Sequence, residues 1–181
     1  MLKKTRFIPL VALFAVLTAL GAYIFIPLPF TPVPITLQTL FVYLSGDILG
    51  GYLGALSQVI YILLGISGLP VFARGRGGIE VLIGPTGGYL IGFIAAAFII
   101  GKLAKLRSSP AFIWFIFSNL IGTIIIYGIG VFQLSIWVGS FKKAVMLGVF
   151  PFLIGDLIKV WLAAYIATRN QIMKIIHLLK N

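Results

Sequence analysis

Long apolar runs, broken by short polar, proline-rich or glycine-rich stretches, organise the chain. The first run predicts a helix over about 7–26, longer than the apolar core of a signal peptide. It leads into Ile26-Pro-Leu-Pro without a small-residue cleavage site, so it reads as a retained helix. Residues 27–34 carry four prolines, which lack the backbone N–H a helix needs, and predict an ordered extended loop. Helices are expected over about 35–49 and 52–66, with Ser45-Gly46-Asp47 and Gly50-Gly51 read as the turn region between them. The longest polar interruption, 67–86, is rich in glycine and holds Arg74, Arg76 and Glu80. It is too long for a tight helix connection. A fourth helix is expected over about 87–103, a break at Arg107-Ser-Ser-Pro110, and a fifth helix over about 111–132. A stretch with Lys142 and Lys143 leads through Pro151 into a sixth helix ending near Thr168. The tail, 169–181, is amphipathic in pattern and expected at a membrane interface.

Composition decides what covers these runs. Hydrophobic residues make up 61% of the chain and charged residues 9%, with a mean hydropathy of +1.17. A soluble domain carries charge on about a quarter of its positions to hold water at its surface. This chain needs lipid there instead. At about 20 apolar residues per crossing, 181 residues allow six short crossings and no second domain. The expectation is an all-α, polytopic membrane protein: one compact domain over 1–181, a bundle of six transmembrane helices.

The net charge of +11 changes the picture little, because the basic residues cluster at the ends of apolar runs. That is an orientation signal, not a nucleic-acid footprint. The side carrying both termini collects Lys3, Lys4, Arg6, Lys102, Lys105, Arg107, Arg169, Lys174 and Lys180. The other collects Arg74, Arg76, Lys142 and Lys143, and Lys159 falls within the sixth helix. The imbalance predicts cytoplasmic termini in a multi-pass cell-membrane protein. The absence of cysteine excludes disulfides and thiolate metal sites. The single histidine, His177, lies in the tail, which argues against a histidine-dependent protease or metal enzyme. Three acidic residues are a poor basis for a proton-relay pump.

With this orientation, Gln38, Arg74, Arg76, Glu80, Tyr89, Asp156 and Lys159 all fall in the outer half of the bundle, where an external solute would be captured. Asp156 and Lys159, three apart, share a helix face. They are either a structural ion pair or a ligand clamp, the carboxylate accepting N–H groups and the ammonium donating to a carbonyl or carboxylate. Gly84-Pro-Thr86-Gly-Gly-Tyr89 brings backbone close to its neighbours and opens a helix whose N-terminus suits an anionic group; close helix packing is the alternative. No Gly-Lys-Ser/Thr occurs, so the chain holds no nucleotide loop. Ala12, Ala15 and Ala19 on the first helix form a small-residue stripe, for packing inside the bundle or for docking a partner. Gln58 and Asn119 read as scattered polar residues, not as a continuous path, which disfavours a channel. No nucleophile–base pair with recognisable spacing suggests an enzyme.

Four segments in order carry a resemblance: Pro32-Val-Pro-Ile-Thr-Leu-Gln-Thr-Leu40, Gly68-Leu-Pro-Val-Phe-Ala73, Gly84-Pro-Thr-Gly-Gly-Tyr-Leu-Ile-Gly92 and Pro151-Phe-Leu-Ile-Gly-Asp-Leu-Ile-Lys159. Together they resemble the biotin-specific substrate-capture subunit, the BioY-type S component, of energy-coupling-factor transporters. The resemblance implies a six-helix bundle that binds biotin from outside and uses no cofactor. It also implies a transmembrane coupling subunit and two cytoplasmic ATPase subunits as partners, with ATP used by the latter. Ala15-x-x-x-Ala19 matches the family's docking motif on the first helix. Asp156 and Lys159 match its polar site pair, and Tyr89 and the Arg74–Gly78 loop, Gly75 included, match its lid region. Gln38 and Thr86 complete the expected binding residues. The alternative is a self-sufficient membrane transporter of another small amphipathic solute or vitamin.

Overall fold

The computed structural model describes residues 7–106, 111–169, 172–173 and 175–176. The basic positions Lys3, Lys4, Arg6, Arg107, Lys174 and Lys180, together with His177, lie outside them.

Helix α1 spans Phe7–Tyr23 and stops three residues before the predicted end. Residues preceding a proline favour extended backbone, and Phe25–Ile26 (β1) pairs antiparallel with Ile35–Thr36 (β2). The Leu37 N–H donates to the carbonyls of Gly21 and Ile24 at 3.1 Å each, closing the end of α1. The four prolines therefore sit in the loop of a short hairpin, as their missing donors require.

Helix α2 follows over Gln38–Leu49 and α3 over Gly51–Ile66. Ser45-Gly46-Asp47 is not a turn, as expected from its composition, but the last part of α2. The turn is Gly50 alone, at φ 79, a left-handed conformation that glycine adopts without steric cost. Only the packing of neighbours explains why a serine, a glycine and an aspartate stay helical there. Ten of the twelve residues of α2 are buried, and it packs against α1, α3 and the later helices.

The interruption after α3 holds a 3₁₀ turn at Ala73–Gly75 and a short helix α4, Ile79–Ile83. Helix α5 spans Gly87–Lys105 and α6 spans Phe112–Val138, six residues past its expected end, because no glycine or proline occurs over 133–138, before Gly139 at φ 70. Helix α7, Phe141–Gly148, was not expected separately. The Ser140 hydroxyl accepts from the Lys143 N–H at 3.4 Å and caps it. A 3₁₀ turn at Phe150–Phe152, with Pro151 in its first turn, leads into α8, Leu153–Ala167.

The architecture is an all-α membrane bundle, but the helices do not map one-to-one onto six full crossings. Gly87–Lys105, Phe112–Val138 and the run Phe141–Ala167 are long and apolar enough to span a bilayer; Phe7–Tyr23 and Gly51–Ile66 are shorter apolar helices. Helix α2, with 12 residues, is about 18 Å long against an apolar thickness of about 30 Å. It is a buried central element. The outer helices show the pattern lipid demands: α8 turns Ile154, Leu157, Ile158 and Trp161 outward and buries Asp156, Lys159, Ala163 and Ala164. In the tail, Ile176 is buried; most of the expected interfacial segment lies outside the described residues.

Candidate functional site: a polar clamp in an aromatic cavity

The four motif segments meet around one cavity, with about 620 Å³ of atom-free space including its mouth. Val33, Pro34, Thr36, Gln38 and Thr39 come from the first; Phe72 and Ala73 from the second; Thr86, Tyr89 and Leu90 from the third; Phe152, Asp156 and Lys159 from the fourth. Arg76, Val81, Phe93, Ile126 and Tyr127 complete the wall.

Asp156 and Lys159 lie on the first turns of α8, where the helix dipole favours the carboxylate. They form an ion pair at 2.5 Å, both buried, at 4% and 7% exposure. Thr39 locks the pair: its hydroxyl donates to Asp156 Oδ1 at 3.0 Å and accepts from Lys159 Nζ at 2.7 Å. Lys159 Nζ also donates to the Thr36 carbonyl at 2.9 Å, so its three N–H groups all have acceptors. The Tyr127 hydroxyl donates to Asp156 Oδ2 at 2.5 Å. Oδ2 keeps a free acceptor position, and so does the tyrosine oxygen beside it. The cavity floor thus offers two adjacent acceptors and an ammonium one of whose donors a ligand carbonyl can take over, walled by Phe72, Phe93 and Phe152.

A scan of protein families matches the BioY family over residues 1–175. The chain is 48% identical over 163 residues to a protein of Thermotoga maritima named biotin transporter BioY, covering 90% of this chain and 94% of that one. It is 46% identical to a probable biotin transporter BioY of Pyrococcus horikoshii, over 93% of this chain and 98% of the other. Among solved structures it resembles the S-component for biotin from an ECF-type ABC transporter: TM-score 0.83, 28% identity, covering 98% of this chain and 93% of that one. The chain belongs to the BioY family.

Within this BioY-family fold, six of the eight expected binding residues, Asp156, Lys159, Tyr89, Gln38, Arg76 and Thr86, line the cavity. Arg74 and Gly75 do not. Arg74 lines a separate open depression beside the proline loop, and residues 74 and 75 both take positive φ to close the tight turn that bridges Phe72 to Arg76. Two wall residues are already engaged: the Tyr89 hydroxyl donates to the Gly148 carbonyl at 2.9 Å, and Gln38 Nε2 donates to the Tyr61 hydroxyl at 2.6 Å. A Cβ at Gly130 or Gly148 would run into Tyr89, so those glycines make room for its ring.

Sequence reasoning missed Thr39 and Tyr127. A signal existed, since Asn119, Thr123 and Tyr127 are spaced by four along α6 and so share one face. On α2, Thr39, Tyr43 and Asp47 have the same spacing. The two rows meet as an antiparallel ladder: Asn119 pairs with Asp47 at 2.9 Å, Tyr43 with Thr123 at 2.8 Å, and Thr39 and Tyr127 both bind Asp156. Asn119 is therefore not scattered. Gln58 is not isolated either, since its Nε2, with two N–H groups, lies within hydrogen-bond reach of the hydroxyls of Ser45, Ser57 and Thr18, at 3.1–3.3 Å. The alanine stripe of α1 is split. Ala15 is buried at 1% exposure, packed inside this chain, whereas Ala12 is exposed in an apolar groove with Val11, Leu53, Leu56 and Ile60, and Ala19 is half-buried.

Proposed function

We propose that this chain is the substrate-capture subunit of a vitamin uptake transporter and that its substrate is biotin. The observation that carries the reading is the buried Asp156–Lys159 pair at the floor of an aromatic cavity. The ureido ring of biotin presents two N–H donors and one carbonyl. The two adjacent acceptors, Asp156 Oδ2 and the Tyr127 oxygen, suit the donors, and Lys159 suits the carbonyl once it is released from Thr39. Phe72, Phe93 and Phe152 suit the sulfur ring and aliphatic chain. Arg76 and the first turn of α5, where Thr86 offers no side-chain cap, suit the terminal carboxylate. Asp156, Lys159, Gln38, Tyr89, Thr86 and Arg76 are thus assigned as binding or wall residues.

The chain carries no Gly-Lys-Ser/Thr phosphate loop, so ATP-driven uptake needs other subunits. The ECF-type assembly named for its structural relative supports a transmembrane coupling subunit and two ATPase subunits as partners. Of the alanine stripe, Ala12 and Ala19 stay available for docking, next to the apolar groove between α1 and α3. The split of basic residues supports cytoplasmic termini in the cell membrane, with the cavity opening outside.

The test is equilibrium binding of biotin to purified protein, with thiamin and riboflavin as controls. Saturable binding of biotin alone is expected. Equal binding of all three, or of none, overturns the assignment.

A further inference from the structure

The end of the α2–α6 ladder remote from the cavity holds a carboxyl group that the proposed clamp leaves unused. Asp47 is 2% exposed and Asn119 is fully buried. Asn119 Nδ2 donates to Asp47 Oδ2 at 2.9 Å, and that is their only side-chain hydrogen bond among the described residues. Two atoms are left over: Asp47 Oδ1 and Asn119 Oδ1 have no hydrogen-bond partner.

Among the described residues, no cation forms an ion pair with the carboxyl group. The single ion pair among the described residues is Asp156–Lys159, at the other end of α2. On α5, Lys102 lies over the rings of Tyr52 and Phe98, and the Lys105 side chain covers Gly50. Among the described residues, α1 and α3 contribute no charged side chain, α6 brings only the Tyr127 hydroxyl, bound to Asp156, and on α2 itself Tyr43 is bound to Thr123. An ionised Asp47 would be an anion without an ion-pair partner among the described residues, in a membrane bundle and with one oxygen bare, a costly arrangement for such a residue.

The two orphan atoms belong to the two halves of one pair, and both are acceptors. A single proton on Asp47 Oδ1, donated toward Asn119 Oδ1, supplies the missing partner of each. Together with the observed hydrogen bond, that second one would make a paired acid–amide contact. We infer that Asp47 and Asn119 form a buried proton-binding site, with Asp47 held as the neutral carboxylic acid and Asn119 as the amide that accommodates it. The proton needs no source but water, and no other bond is made or broken. The site explains how an aspartate can sit in the last turn of a helix with ten of twelve residues buried.

The chain has only two aspartates, Asp47 and Asp156, which makes the test direct. In full-length protein with carbon-13 aspartate in lipid bilayers at neutral pH, solid-state NMR should show one carboxylate and one neutral carboxylic acid. Asp156→Asn should remove the carboxylate signal and leave the acid; Asp47→Asn should do the reverse. Two carboxylate signals in the unmutated protein overturn the proposal, whether or not either variant folds. That result would mean that a water or cation, not a proton, serves the orphan oxygens.

Discussion

Helix α2 has an aspartate partner at each end, and the two are satisfied in opposite ways. At the cavity end, Asp156 reaches α2 from α8 and is held by Lys159, Thr39 and Tyr127, with charge matched by charge. At the other end, Asp47 has one amide and, among the described residues, no ion-pair partner. Both are buried, so burial does not separate a binding carboxylate from a structural one. The difference lies in what a ligand could exchange. Around Asp156, the hydroxyl contacts of Thr39 and Tyr127 can be traded for a substrate's own donors and acceptors beside open space. Asp47 does not line the substrate cavity, and its one side-chain partner among the described residues is Asn119.

The comparison breaks most readily at Lys159. Replacing it by alanine leaves Asp156 buried without a cation, and unfolding stability in detergent should fall by about 3–5 kcal/mol. Biotin affinity should fall by more than about tenfold, which corresponds to about 1.4 kcal/mol. Retained affinity with only a lower melting temperature would make the pair a structural bridge. Tyr127→Phe removes one hydrogen bond to a charged group, worth about 1.5–3 kcal/mol, and calorimetric titration should show a roughly tenfold or larger loss of biotin affinity. Asn119→Leu removes the partner of Asp47 and should cost about 1–3 kcal/mol of stability in denaturant titrations. Biotin affinity should then change less than about threefold, since Asp47 lies about 12 Å along α2 from Thr39. A large loss of binding there would mean that the ladder couples its two ends.

The smallest effect sharpens the loop assignment. Arg74→Ala should alter biotin affinity by no more than about twofold, as a side chain outside the cavity should, whereas Arg76→Ala should weaken it several-fold. Equal losses would place both arginines on the ligand.

Much of this was readable in the sequence. Apolar runs interrupted by Pro27, Pro29, Pro32 and Pro34, and the i,i+3 spacing of Asp156 and Lys159, depend on local covalent geometry and helix period alone. The position of Ser45-Gly46-Asp47 was not readable, because serine, glycine and aspartate favour turns in isolation and become helical only where neighbours bury them. Thr39 and Tyr127 escaped for a related reason. A threonine and a tyrosine are ordinary residues in apolar helices, and only the meeting of α2, α6 and α8 turns them into partners of Asp156.

The sequence by itself determined the lipid-covered bundle, the motif segments of the clamp and the family, since hydropathy, periodicity and residue order are properties of a linear chain. Tertiary structure decided which residues meet: that Ala15 packs inward, that Arg74 misses the cavity, and that Asn119 stands opposite Asp47. The physical reason is that a buried polar group must find its partner within hydrogen-bond reach, and the helices that supply those partners are far apart along the chain.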